Sequence, residues 1–143
     1  MEITESGLME SNVGAEQFLH MLHALGVSLS IDDFGTGYSS LSYLQRLRPN
    51  DLKVDKSFVT EMMSDENDAV IVRSIVELAH WLGMTVVAEG VEDAPTLSRL
   101  AEMRCDRAQG YHIARPMRED QLRVWLAQRR ASEVEVEAAV NQS

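Results

Sequence analysis

A chain of 143 residues with a formal net charge of −10 is long enough for one domain and one core. Its acidity disfavours a nucleic-acid polymer or an anionic membrane as primary partner, since both demand a basic face. Cys105 is the only cysteine, which excludes an intrachain disulfide and points to a reducing cytoplasm.

Residues 1–12 are acidic and polar, unlike a secretory leader, and no apolar run approaches the roughly 20 residues that span a bilayer. Met1 to Ile3 reads as the stub of a strand. From Val13 to Leu25 the spacing of Phe18, Leu19, Leu22 and Leu25 predicts a helix, which Gly26 stops. Val27 to Ile31 is the next strand. Ser39 or Ser40 caps a short helix carrying Leu41, Leu44 and Leu47, closed by Pro49. Leu52 to Val54 is a strand. Asp65 to Asn67 offers an acidic cap to a long helix with Val72, Ile75, Leu78, Ala79 and Leu82 inward, and Gly83 ends it. Thr85 to Ala88 is a strand, Asp93 caps a helix that tolerates Pro95 in its first turn, and Arg107 to Gln109 is a short strand. The last helix carries Leu122, Trp125 and Leu126. We place the domain at residues 1–127 and read 128–143 as a polar acidic tail, frayed or disordered.

The segments Leu25 to Asp32 and Leu82 to Glu89 share one grammar: a helix ending in Leu-Gly, a short strand, then an acid. Strands and helices in alternation imply parallel pairing with right-handed crossovers. Charged or polar positions recur at 2, 32, 53, 89 and 109, near the roughly 30-residue spacing of successive units in a βα barrel. The fold class expected is therefore α/β, a partial TIM-type (βα) barrel of about five βα units with parallel strands.

The chemistry concentrates at the strand ends. Adjacent aspartates point to opposite faces of a strand, but at the strand end Asp33 can turn with Asp32 into the mouth of the site, and Gly35 and Gly37 permit a tight loop after them. Clustered carboxylates suit magnesium, calcium or manganese. The bland alternative is that Asp33 caps a turn and the glycines form a bend. A phosphate-binding loop fits less well, because two negative charges precede the glycines and no downstream lysine follows. Lys53 alternates with Leu52 and Val54, which puts Lys53 and Asp55 on one face; inside a barrel the lysine would need anionic partners, which Asp55 and the strand-end acids would supply. Glu89 follows three apolar residues, whereas Glu92 can be ordinary first-turn charge complementing a helix dipole. His20, His23 and His80 lie on helices without a ligand pattern and read as surface or satisfied residues. His112 has no assigned role, and Cys105 reads as a small buried residue rather than a nucleophile.

Taken together, Glu2-x-x-Glu5-Ser6, Asp32-Asp33-Phe34-Gly35-x-Gly37-Tyr38-Ser39-Ser40, Leu52-Lys53-Val54-Asp55, Ala88-Glu89-Gly90-Val91-Glu92 and Gln109-Gly110-Tyr111 resemble the EAL domain family of cyclic di-GMP phosphodiesterases. The resemblance covers residues 1 to about 127, with the motifs in family order and spacing. It implies a modified TIM barrel and a two-metal site for Mg²⁺ or Mn²⁺. It implies that Glu2 is a ligand of the first metal, that Asp32 bridges both, and that Asp33 and Glu89 serve the second. Lys53 corresponds to the lysine that contacts the catalytic water. Glu5 corresponds to the glutamate that anchors the loop from Asp33 to Ser40, which the family uses in metal binding and dimer coupling. Asp55, Glu92 and Gln109 match further positions near the site. The implied reaction is hydrolysis of one phosphodiester bond of cyclic di-GMP to linear pGpG.

The sequence departs from the family in two places. The Glu-Ala-Leu motif and the next strand's asparagine, both metal ligands in the family, would precede residue 1. The expectation is a chain without the N-terminal strands, inactive alone, with exposed strand edges that pair with a second copy or with the missing part of the barrel. The other departure is Arg104, where the family carries glycine. Two rivals to a phosphodiesterase are a non-catalytic EAL module that binds cyclic di-GMP or a protein, and a truncated fragment without function.

Overall fold

The structure, a computed structural model, describes residues 1–9, 13–37 and 41–140. Five strands, β1 (Glu2–Thr4), β2 (Ser30–Phe34), β3 (Asp51–Val54), β4 (Thr85–Ala88) and β5 (Arg107–Ala108), form one sheet in sequential order. Every neighbouring pair is parallel. Helices fill the connections: α1 (Glu5–Met9) and α2 (Val13–Ala24), α3 (Leu41–Leu47), α4 (Lys56–Glu61) and α5 (Glu66–Trp81), and α6 (Ala94–Glu102). After β5 comes α7 (Glu119–Val140), whose backbone is helical as far as Val140. Parallel strands in sequential order, each followed by helix, are the architecture of a partial TIM-type barrel. Among the described residues no helix is long and apolar enough to cross a membrane.

Local chemistry explains the boundaries. Asp55, Asp65 and Asp93 each stand as N-cap and accept from a backbone N–H of the first turn, those of Ser57, Asn67 and Thr96. Gly26 and Gly83 end α2 and α5 with φ of 81° and 76°, the left-handed backbone that favours glycine. Ser39 and Ser40, expected to cap α3, lie outside the described residues. Helices α1 and α4 are findings beyond the sequence reading. In α4 the cap at Asp55 is followed by buried Val59 and half-buried Phe58, a short apolar face easily mistaken for loop.

Strand β2 corrects the expected Val27 to Ile31. It starts three residues later, so Asp32 and Asp33 lie within the strand rather than after it. The reason is visible at the start of β3. Asn50 Oδ1 accepts from Leu29 N–H, and Leu29 carbonyl accepts from Asn50 N–H, so residues 27–29 serve as an entry into the sheet.

The registers separate two faces. Ile3, Ile31 and Leu52 align, as do Leu52 with Val86 and Val54 with Ala88. This row carries the strand share of the core and meets Val72, Ile75, Val76 and Ala79 of α5 and Leu100 of α6. Burying each such aliphatic side chain contributes about 1.5–3 kcal/mol. By alternation the opposite row holds Glu2, Ser30, Asp32, Asp51, Lys53, Thr85, Val87 and Arg107. One face of the sheet is thus an oily seat for helices. The other is polar, with an Arg107–Asp51 pair of 3.3 Å near the strand starts and the acidic cluster at the strand ends.

Candidate metal and phosphodiester site

Lys53 is the centre of the polar face. Its Nζ lies 2.6 Å from Glu89 Oε1, 3.0 Å from Asp32 Oδ1 and 3.1 Å from Glu2 Oε1. Strands β1, β2 and β3 and the residue after β4 each supply one of these four side chains. The strand-end acids supply the anionic partners expected for Lys53, three carboxylates in all, whereas Asp55, expected among them, caps α4 and accepts from Ser57 instead. The lysine is only 8 % exposed. Burial by itself would lower its pKa, but the hydrogen bonds to Glu89, Asp32 and Glu2 outweigh it and hold the ammonium above the ordinary lysine value.

Asp33 reaches the same place by an unusual backbone. Adjacent strand residues point to opposite faces. Here the β2–β3 register shifts between Ile31 and Phe34, and Asp33 takes φ 55°, a left-handed conformation in a non-glycine residue. The irregularity lets both aspartates face the strand ends. Ligand atoms of Asp32, Asp33 and Glu89 lie within 4.8 Å of one another. Burial, Asp32 and Asp55 push the Asp33 carboxyl up from its ordinary 3.8, with Lys53 opposing. Asp55 goes the other way. Its burial is outweighed by hydrogen bonds from Ser57 and Asp33 and by the charge of Lys56, so its pKa is lowered.

A divalent cation fits this donor set. The cluster offers oxygen donors only, suited to hard cations. Four carboxylates (Glu2, Asp32, Asp33, Glu89) face a single ammonium, so negative charge is left uncompensated, and the raised Asp33 registers that crowding.

Glu5 is the buried anchor of the loop after β2. Only 1 % exposed, it accepts from Gly35 N–H and Gly37 N–H through one oxygen, Oε2, each at 3.0 Å. Gly37 packs on the carboxylate so closely that a Cβ would lie 3.2 Å from Glu5 Cδ. Tyr38, Ser39 and Ser40 of the expected loop lie outside the described residues. Gln109 stands at the end of β5, its N–H donating to Ala88 carbonyl and its carbonyl accepting from Val91 N–H. Glu92 is exposed at the turn into α6. The structure therefore brings together Glu2, Asp32, Asp33, Lys53, Asp55 and Glu89, sets Glu5 behind them, and holds Gln109 by its backbone.

Sequence reasoning missed the brace of the far strands. Asp106 Oδ2 accepts from Val86 N–H at 2.8 Å and pairs with His80 Nε2 at 2.9 Å. Burial would raise Asp106, but these bonds lower it overall. Sequence carries no local signal for a pair 26 residues apart. His80 is thus a satisfied histidine. Cys105 is half-buried with its thiol pushed up by burial, which removes thiolate character.

Comparison with known proteins gives the family and the fold. The family model described as EAL domain matches residues 1–116. The bifunctional diguanylate cyclase/cyclic di-GMP phosphodiesterase MucR of Pseudomonas aeruginosa is 45% identical over 122 residues, which are 85% of this chain and 18% of that protein. Among solved structures, the PaMucR phosphodiesterase in complex with c-di-GMP superposes with a TM-score of 0.81 at 45% identity, covering 85% of this chain and 49% of that one. The Klebsiella pneumoniae BlrP1 manganese/cy-diGMP complex gives 0.74 at 37% identity, covering 80% of this chain and 29% of that one. The chain spans about half or less of these relatives. It belongs to the EAL domain family.

Proposed function

We propose that this segment supplies the C-terminal part of the active site of a metal-dependent cyclic di-GMP phosphodiesterase. The observation that carries the reading is the convergence of Glu2, Asp32 and Glu89 on Lys53, with Asp33 added by the irregular end of β2. The complexes of two solved neighbours, one with c-di-GMP and one with manganese and cy-diGMP, support this choice of ligand and cation class.

In this reading Glu2, Asp32, Asp33 and Glu89 hold Mg²⁺ or Mn²⁺. The bound cations would supply charge neutralisation at the phosphate and a more acidic water. Lys53 stays protonated, so it serves as donor and electrostatic partner rather than general base. Its ammonium orients the water or a phosphoryl oxygen, and Glu89 orients Lys53 through the 2.6 Å contact. Water adds at phosphorus as the ribose 3′ oxygen leaves with a proton, giving linear pGpG. Glu5 keeps the β2 loop, and with it Asp33, in place. Asp55 caps α4 and fixes the Asp33 side, while Glu92 and Gln109 border the site. We place this activity in the cytoplasm. The outer edges of β1 and β5, unpaired among the described residues, are the seams where the rest of a barrel or a second copy would pair.

The test is a chromatographic assay of pGpG with cyclic di-GMP and Mn²⁺. It is run on the 143-residue chain and on the same chain joined to the N-terminal half of the MucR phosphodiesterase domain. Hydrolysis by the joined protein and little or none by the short chain is expected. A joined protein that binds cyclic di-GMP without hydrolysing it would instead establish a binding module.

A further inference from the structure

Glu89 has one neighbouring turn whose role is unassigned. The chain leaves β4 at Ala88 and passes through Glu89, Gly90 and Val91 before entering α6. Glu89 N–H donates to Val54 carbonyl at 3.3 Å, which ties it to β3. Gly90 lies against the start of α4: with φ 73°, an added Cβ would fall 2.7 Å from Lys56 Cβ. On its other side the turn meets the loop after β5. Val91 N–H donates to Gln109 carbonyl at 3.1 Å, and His112 N–H donates to Val91 carbonyl at 3.0 Å. The Val91 side chain is completely buried.

Gly110 sits flush on this peptide. A Cβ there would lie 2.6 Å from the Val91 carbonyl carbon and nearer still to its oxygen and nitrogen. These are backbone atoms, so the contact cannot be relieved by turning a side chain. No left-handed φ is required of Gly110, so only the close approach forbids a side chain there. The Gln109 N–H bond to Ala88 and the bonds from Ile113 and Ala114 N–H to Gly110 carbonyl hold the glycine from behind.

We propose that Gly110 is a positioning residue for Glu89: by lacking a side chain it lets the β5 loop clamp the Glu89–Val91 turn against Lys56, and so fixes the carboxylate that touches Lys53. The clamp is read from geometry alone; its meaning for catalysis rests on the proposed phosphodiesterase site. A methyl group at 110 must displace the Val91 peptide, and Glu89 is two residues away on a turn whose Gly90 is packed against Lys56.

The test is residue-resolved amide hydrogen exchange on the 143-residue chain, wild type against Gly110→Ala. The Glu89 and Val91 amides should exchange about tenfold faster in the variant, while Val86, held by Asp106, and Leu52 keep wild-type rates. Equal acceleration throughout β4 would mean loss of general stability and would overturn the proposal, as would wild-type exchange at Glu89. If Gly110→Ala does not fold, Val91→Ala loosens the same turn by removing its buried anchor, and the same local pattern is required. A Mn²⁺ titration by electron paramagnetic resonance gives the second readout, with severalfold weaker affinity expected in the variant and unchanged affinity counting against it. Exchange needs neither metal nor nucleotide. A chain that never hydrolyses cyclic di-GMP therefore leaves this test intact, and an unperturbed Gly110→Ala overturns the clamp even where hydrolysis is established.

Discussion

Replacing Lys53 by methionine keeps the buried stem and deletes the ammonium that three carboxylates share. The contacts to Asp32 and Glu89 involve side chains 23% and 20% exposed, so each contributes about 1.5–3 kcal/mol as a charge-assisted bond. Glu2 is 60% exposed, and its contact is worth no more than about 1 kcal/mol after solvent screening. Against this stands the removed cost of burying the ammonium, together with the apolar burial of methionine. The net loss should be about 2–4 kcal/mol in metal-free protein. The same substitution removes a positive charge beside Asp32 and Glu89, so Mn²⁺ should bind more tightly and recover part of the loss through ligand linkage. Urea unfolding followed by circular dichroism, with and without millimolar Mn²⁺, measures both effects. A Lys53→Met protein as stable as wild type without metal, or one that Mn²⁺ stabilises less than wild type, would refute the reasoning. Turnover in the joined protein should fall even though the metal binds.

Glu5→Ala should cost about 2–4 kcal/mol, because two loop N–H groups lose one charged acceptor, whereas Glu5→Gln keeps an oxygen for both and should cost about half as much; equal losses in urea melts would contradict the single-oxygen geometry. Arg104 ends α6 at φ 63°, so Arg104→Gly should stabilise the chain by about 0.5 kcal/mol, left-handed strain being partly offset by glycine's freedom when unfolded; calorimetry should show a higher melting temperature. The raised Asp33 pKa sets a pH dependence. A proton competes with the cation above the ordinary 3.8, so Mn²⁺ affinity should fall as pH drops through that window. Metal-free stability should move oppositely, falling as pH rises through the same window, because a carboxyl with a raised pKa is stabilised protonated. Calorimetric titrations at several pH values, compared with Asp33→Asn, check both signs.

Much of this arrangement is legible in the residue pattern because strand periodicity is local. Alternation around Lys53 places it with acids, and the acidic N-caps Asp65 and Asp93 announce their helices. The doublet Asp32-Asp33 is legible as chemistry, and its place at a strand end already allows the second carboxyl to turn into the mouth. Nothing local says that β2 begins at Ser30 or that Asp33 takes a left-handed backbone; the register with β3 shows both. Helix α4 escapes notice because its apolar face is one turn long. The Asp106–His80 brace and the Gly110–Val91 contact join segments distant in sequence, so only the folded chain brings them together. Arg104 is the instructive departure: it holds the left-handed backbone, φ 63°, that glycine serves at Gly26 and Gly83.

The central claim is that Asp32 belongs to a cation site that hydrolyses cyclic di-GMP. The most direct measurement is Mn²⁺-dependent pGpG formation by the joined protein, wild type against Asp32→Asn, read by chromatography. Turnover is expected in the wild type, none after chelation, and a loss of at least about a hundredfold in Asp32→Asn. Hydrolysis that survives either chelation or Asp32→Asn would contradict the claim.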